Sequence, residues 1–564
     1  MGETFTRLVT LPQLQAAFSS VDGKISDVSE AQQVDATAIT ALQTSKLGAT
    51  SPGDQLTVIP GSGSNRAGLS ALFGRWVFAE DFGAKGDGLT NDSPAFAKAA
   101  SALSSAGGGT ILYRGRSLLG DSLTLPRGVT LRGPTDHGDP GNDWTGRVGF
   151  YAFLQAVPCI IVSPSASIVV QGGQSIRGNY IMRQGLKLDG TDASASYAGT
   201  AITGNYTDAV TVDDCSILGF NQAIDFRNMS RCRYSNLLID SQNGIKETTT
   251  ADISRLSHVT CYNVLQGNAS GNDSSTLRTG NAFWFAGTNN GGAELLGCFS
   301  YGYTNGVRTE TSGSYDMVNV WIDGPTDATT GRPLNPDCVG FNLLADTSSG
   351  TSDAEPMLVG CRAASQGTGV FIGEDTFGAA QIIAFQAWNC LDGINTSCNL
   401  NTLNGVSIRS YFSRGLVFGT PVAAYQAKVS GLNFYSRQPS ATADIECAQA
   451  QPPLDGVNYQ GGDLLLTNTV GNTSFCANGV VNIAYNRSQF LVWPSNGSTG
   501  EAITDITPHI IGRIIDVTFA TDGFSIASGS NFRLQSAMSG VTGSSIRLVY
   551  YNGVWNEMSR SSFS

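Results

Sequence analysis

Carboxylates recur at one phase of a repeating unit in this chain. Asp225, Glu247, Glu310 and the neighbours Glu374 and Asp375 each follow closely on a small–aliphatic residue pair, and Asp316, Asp323, Asp327 and Asp353 flank adjoining loops. Two carboxyl groups about 5–5.5 Å apart suit retaining glycoside hydrolysis, and about 6.5–9.5 Å suits inversion. Tyr301, Tyr303, Tyr315 and Trp321 lie around Glu310 in the sequence, and sugar rings stack on such aromatic faces. Glu310 with Glu374 or Asp375 is therefore the expected catalytic pair, with Asp323 the next candidate. The four aromatic residues are the expected substrate-binding surface. Each acid taken singly reads equally well as a solvated turn residue, and the aromatics as interior packing.

Such a pairing needs a scaffold that stacks equivalent positions. Cys215, Cys298 and Cys361 are followed, after seven intervening residues, by Ala223-Ile224, Gly306-Val307 and Gly369-Val370 respectively. Related pairs are Gly244-Ile245, Gly393-Ile394 and Gly415-Leu416, and neighbouring pairs lie 21, 24 and 22 residues apart where no insertion intervenes. A period in the twenties signals a solenoid. Short β-branched segments such as Ala209-Val210-Thr211-Val212 supply strands, with Asn and Gly at the turns. In a stack of parallel strands, one phase of successive coils repeats about every 4.8 Å, so carboxylates one or two coils apart meet the spacing that hydrolysis requires. Insertions at 267–280 and 323–337 are the loops on which binding residues are expected.

The elements outside the repeat have their own patterns. Leu11, Leu14, Phe18, Val21, Ile25 and Val28 follow steps of 3, 4, 3, 4 and 3, a heptad seam interrupted at Gln32 and Asp35. We read residues 1–48 as a helical stalk or attachment segment of several parallel chains, since nothing nearby offers a core for one long amphipathic helix. Residues 49–65 are a Gly/Ser/Pro-rich linker. Ser93 as N-cap and Pro94 at the first helical position start a helix near 93–105 whose buried stripe is Phe96, Ala99, Ala100 and Leu103. After about residue 452 the rhythm changes to β-sandwich-like alternation, so the repeat is assigned to 66–452 and a C-terminal β-rich trimerisation or carbohydrate-binding module to 453–564.

Two segments carry resemblances. The run Asp81-Phe82-Gly83-Ala84-Lys85-Gly86-Asp87-Gly88, then Thr90-Asn91-Asp92 and Ala95-Phe96, resembles the opening motif of the pectate-lyase-like superfamily. So do Gly107 to Thr110 and Leu123 to Gly133, with Tyr113-Arg114 departing from a common Pro-Pro. The ending Asn552-Gly553-Val554-Trp555-Asn556-Glu557-Met558-Ser559-Arg560 resembles the terminal trimerisation module of phage tailspikes and tail fibres. Together these imply an all-β right-handed parallel β-helix in a homotrimeric phage tailspike. The N-terminus would attach to the phage tail or baseplate. The virion-borne protein would bind a bacterial surface polysaccharide, O-antigen or capsule, and depolymerise it as an endo-glycosidase. The same opening serves lyases, hydrolases and noncatalytic spikes, so a receptor-binding fibre and a polysaccharide lyase stay open. A lyase would need a base and a cation against the developing enolate, for which Arg255, Arg308 and Arg362 are candidates.

Composition narrows the partners. Net charge is −12, with seven Lys against 26 Arg and no basic stripe, so nucleic acid is not an expected partner. A neutral glycan suits this charge, whereas an acidic one needs a local arginine patch. No run of about 18 apolar residues calls for membrane insertion, and the opening MGETFTRLVTLPQLQAAF lacks the look of a secretory leader. The 11 Cys are odd in number and spread singly, as buried thiols of a chain folded in a reducing cytoplasm are. No Cys/His spacing for a metal, no P-loop, GxGxxG or GxSxG motif is present, and His137 and His258 have no partner nearby in sequence. No metal or cofactor is expected.

Overall fold

The computed structural model describes residues 75–133, 147–188, 196–206, 208–228, 230–265, 277–287, 291–310, 313–344, 356–373, 380–397, 402–419 and 428–447, together with 454–455, 458–460, 466–468, 474–477, 480–482, 489–494, 502–507, 509, 514–519 and 522–561. The expected stalk (1–48) and linker (49–65) lie outside the described residues, as do Glu374, Asp375, Asp353 and His137.

Among the described residues, 37 strands pair in parallel as one continuous sheet. The pairing runs along three ladders, one strand of each per coil. Tyr315–Val318, Trp321–Asp323 and Val339–Leu344 form one coil, and Met357–Val359, Arg362–Ala364 and Thr368–Ile372 lie beneath them in register. This is a parallel β-helix. Each strand points alternate side chains inward, so the bore is filled by columns such as Leu295, Met317, Leu358 and Ile382, all fully buried.

The repeat seen in the sequence has a steric cause. Ile224, Ile245, Phe283, Val307, Phe341, Val370, Ile394 and Leu416 stack as one inward column of the third ladder. The small residue before each lies against the coil above or below. A Cβ on Gly306 would come within 2.3 Å of Ile322 Cγ2 and 2.6 Å of the Gly340 carbonyl oxygen. The cysteines mark a corner. Asp214, Gly297 and Gly360 adopt positive φ at the end of the first ladder, and Cys215, Cys298 and Cys361 follow directly, fully buried. Their thiols donate to the Ile176, Leu256 and Met317 carbonyls of preceding coils. His258 occupies the same left-handed corner, exposed, with φ 53°.

Helix α1 (Ser93–Ser105) closes the first coils, burying Phe96, Ala99, Ala100 and Leu103 as expected. Its N-cap is Asp92 and not Ser93. The Asp92 carboxylate instead accepts the Lys85 and Gly86 amides, while Ser93 Oγ donates to the Asp121 carbonyl. At the other end the ladders run on through Leu454–Asp455, Asn458–Gln460 and Leu466–Asn468, one coil past the expected boundary at 452. A second body of strands follows: an eight-stranded and a three-stranded sheet share a core around Ile515, Val517, Phe519, Phe524 and Trp555. Trp555 donates its indole N–H to the Ile506 carbonyl at 2.8 Å.

Candidate functional site: an aromatic strip on the second ladder

Among the described residues, the outer face of the second ladder is covered in its early coils and bears exposed side chains in its later ones. Helix α2 (Arg147–Ala156) contributes Leu154, which with Val157, Tyr197, Val264 and Leu265 forms an apolar cluster over the early coils. A fully buried ion pair anchors this cover. Arg278 Nη2 donates to Asp240 Oδ1 at 2.7 Å, and the Leu265 amide and Tyr197 hydroxyl donate to the same carboxylate at 2.8 and 3.2 Å. Three donors meet the two carboxylate oxygens, which offsets much of the cost of burying the charge.

Below the cover, residues on either side of each inward-facing centre point out. One outward column reads Phe299, Trp321, Arg362, Gln386, Ser407 and Asn433, and the other reads Tyr301, Asp323, Ala364, Trp388, Arg409 and Tyr435. The rings make a continuous strip at the upper end. Tyr262 packs on Phe299 and Tyr301 with centroids 6.1 and 5.3 Å apart, and Phe299 meets Trp321 edge-on at 5.8 Å. Trp321 and Trp388 are 41% and 55% exposed, far more than the desolvation of an indole would favour without a partner.

Asp323 lies in this strip, in register beneath Tyr301 and above Ala364. Burial among the rings pushes its carboxyl up from 3.8 to about 6, against the Gly324 amide that donates to it at 2.8 Å. Such a group changes protonation near neutral pH and can give or take a proton there. The insertion that begins at Gly324 runs along the corner to later coils: Arg332 Nη2 donates to Ser440 Oγ at 3.0 Å and its guanidinium lies 5.5 Å from the Phe412 ring. Within it, the Thr330 side chain and the Thr330 and Thr329 amides hold Asp327 below its ordinary value.

The expected cluster around Glu310 divides between different surfaces. Tyr303 and Tyr315 are 3% and 0% exposed: Tyr303 donates to the Ser241 carbonyl at 2.9 Å and Tyr315 packs on Phe285. They fill the bore and present no face to a sugar. Tyr301 and Trp321 belong with Asp323 on the second ladder. Glu310 lies outside the third ladder, where Trp284 Nε1 donates to its Oε2 at 3.0 Å and Arg308 holds its Oε1. Lys246 Nζ covers the same indole at 3.8 Å. Glu374 and Asp375, its expected partners, are outside the described residues. Asp225 pairs with Arg227, Asp316 is on the first ladder, and Glu247 is interior.

Trp388, Arg409, Tyr435, Tyr262 and Phe299 escaped the sequence reading. Ala364 precedes Gly369 by five residues and Trp388 precedes Gly393 by five, so an offset counted back from the small–aliphatic pair finds Trp388. It fails for Asp323 because the insertion intervenes.

No family model matches the chain, and no curated protein matches it. Among solved structures it is similar to the N-terminal fragment of bacteriophage Phi29 gene product 12, at 12% identity and a TM-score of 0.43 over 81% of this chain and 85% of that one. It is also similar to the Streptococcus pneumoniae surface adhesin PfbA (10%, 0.39, covering 86% and 99%) and to the Dettilon tailspike protein (12%, 0.34, covering 86% and 79%). At such identities and scores the similarities assign neither family nor activity.

Proposed function

We propose that the second-ladder strip binds a bacterial surface polysaccharide and that Asp323 transfers the proton when the chain is cut, the work of a phage tailspike. The observation that carries this reading is the placement of one carboxyl, raised to about 6, between Tyr301, Trp321 and the exposed Trp388. Rings of this kind stack on the apolar faces of sugars, and a carboxyl that holds its proton near neutrality can protonate a glycosidic oxygen. Hydrolysis also needs a second carboxylate. Directly above and below Asp323 the ladder carries Tyr301 and Ala364, so that group would come from the insertion, Asp327 or Asp337, or from another copy of the chain. A homotrimer carried on the phage tail by its N-terminal segment accords with the heptad seam and with the Trp555 module.

A second reading has one specific observation behind it. Of the three arginines suited to a lyase, Arg255 pairs with Glu294 and Arg308 with Glu310. Arg362 is one coil below Trp321 with no carboxylate partner among the described residues. Asp323 as base with Arg362 against the enolate needs no second carboxylate. Incubation with lipopolysaccharide and capsule from candidate hosts decides. Oligosaccharide released without new ultraviolet absorbance means hydrolysis, the absorbance of an unsaturated uronate means elimination, and binding without product leaves a receptor fibre. Absence of binding ends the proposal.

A further inference from the structure

The arginines of the later coils fall into two groups. From residue 255 to 447, Arg255, Arg278, Arg308, Arg414 and Arg437 each hold a carboxylate: Glu294, Asp240, Glu310, Asp392 with Glu446, and Asp444. Arg332, Arg362 and Arg409 hold none among the described residues. All three are exposed, and all three belong to the second-ladder face or the insertion bordering it. Each guanidinium lies against a ring: Arg362 5.6 Å from the Trp321 centroid, Arg409 4.8 Å from Tyr435, and Arg332 5.5 Å from Phe412. Arg409 Nε donates to Ser407 Oγ at 3.2 Å and Arg332 Nη2 to Ser440 Oγ at 3.0 Å, which holds these guanidiniums by neutral hydroxyls and leaves other N–H groups for a carboxylate, phosphate or sulfate, groups that a guanidinium binds through paired hydrogen bonds. In a chain whose net charge is −12, this face and its insertion carry three arginines beside Asp323, Asp327 and Asp337, and among the described residues none of the three arginines is held by a carboxylate.

We infer that the polysaccharide bound by this face is anionic, its acidic groups spaced along the chain to meet Arg362 and Arg409 in turn. The inference rests on the reading of the strip as a glycan site and adds the class of glycan. Arg362 and Arg409 are two coils apart through Gln386 and Ser407, about 10 Å along the axis at the strand spacing. That span matches an acidic group recurring at roughly every second sugar. The rings between them, Trp388 above all, take the intervening sugar faces. Asp323 sits at the upper end of the same run, one coil above Arg362.

The test uses the full-length chain on an array of immobilised bacterial capsular and O-antigen polysaccharides of known composition, neutral and acidic in equal number. The expected result is retention of acidic polymers, weakened by added salt as exposed charge pairs are. Arg362→Gln and Arg409→Gln should each lower affinity about tenfold or more, and carboxyl reduction of a retained uronate polymer should abolish binding. Loss on carboxyl reduction identifies a carboxylate; retention only of phosphorylated or sulfated polymers identifies those groups instead. Arg231→Gln, exposed before the first-ladder strand that starts at Arg233 and paired with Asp208, serves as the control and should bind as the parent does. Equal retention of neutral polymers, or unchanged affinity in both arginine variants with a parent-like fold by circular dichroism, overturns the inference while leaving a glycan site standing. Retention of no polymer sinks the glycan reading itself and this inference with it.

Discussion

Asp323 lies directly beneath Tyr301 in one outward column of the second ladder, a carboxyl roofed by a phenol ring and floored by the methyl group of Ala364. The ring removes water from one side of the acid, and the rings of Phe299 and Trp321 on the adjoining column extend the apolar surround. That desolvation, more than any charge, moves its proton affinity toward neutrality. The same rings are those a sugar would stack on, so titration and binding are coupled through one surface.

Asp323→Asn should lower the rate of any polysaccharide cleavage about 100-fold or more, whereas Glu310→Gln, whose carboxylate is already engaged by Trp284 and Arg308, should stay within about threefold. In the parent, a rate that falls as pH rises through about 6 identifies Asp323 as the acid, and a rate that rises there identifies it as the base. Reducing-end release across pH 4.5–8 reads both. Full activity in Asp323→Asn would remove Asp323 from the chemistry.

The raised carboxyl also has a stability consequence. Between the ordinary value of 3.8 and about 6, the folded chain keeps a proton that the unfolded chain has released, so stability falls as pH rises through that window. Asp323→Asn escapes the loss. Its melting temperature should exceed that of the parent at pH 8 and match it at pH 4, as calorimetry would record.

Trp388→Ala should weaken glycan binding about tenfold while shifting stability by no more than about 0.5 kcal/mol, because the ring is more than half exposed. Tyr315→Ala should do the reverse: its ring is wholly interior, and the cavity should cost about 3–5 kcal/mol. Isothermal titration against urea denaturation separates the two kinds of aromatic residue.

Gly306→Ala tests the repeat itself. The added methyl would press on Ile322 and on the Gly340 carbonyl, backbone of the next coil that cannot yield alone, so a loss of about 1–3 kcal/mol is expected in the denaturation midpoint. An unchanged midpoint would mean that the coils can spread.

Tyr234 donates to the interior carboxyl of Glu247 at 2.6 Å, and burial raises that carboxyl above 4.5. Tyr234→Phe should cost about 1–3 kcal/mol. Because the folded chain holds the Glu247 proton to higher pH than the unfolded one, stability should decline as pH rises above the ordinary glutamate range, and more steeply once the phenol is gone. Denaturation midpoints at pH 5 and pH 8 carry the comparison.

The solenoid was legible in the chain because its constraints are local and repeated. Each coil puts a small residue before an apolar one where the third ladder meets its neighbours, and the corner takes a left-handed residue before an inward apolar one, a cysteine in three coils. Asp214-Cys215, Gly297-Cys298 and Gly360-Cys361 show both demands at a fixed count of residues. Helix α1 was readable for the same reason, its stripe of Phe96, Ala99, Ala100 and Leu103 following one face of a helix over about two turns.

Which surface a side chain reaches was decided only by the tertiary structure. Tyr301 and Tyr303 are two residues apart, yet the corner at Gly302 lies between them: one ends the second ladder facing out, and the other begins the third with its ring in the bore. Asp323 and Trp388 are 65 residues apart in the sequence and only two coils apart in space, because the insertion at 324–338 breaks the count without breaking the ladder. Nearness to aromatic residues in the sequence therefore put Glu310 first and Asp323 after it, whereas the carboxyl raised by desolvation is Asp323. Desolvation depends on what stacks above and below, and that ordering is a property of coil pairing that residue spacing does not carry.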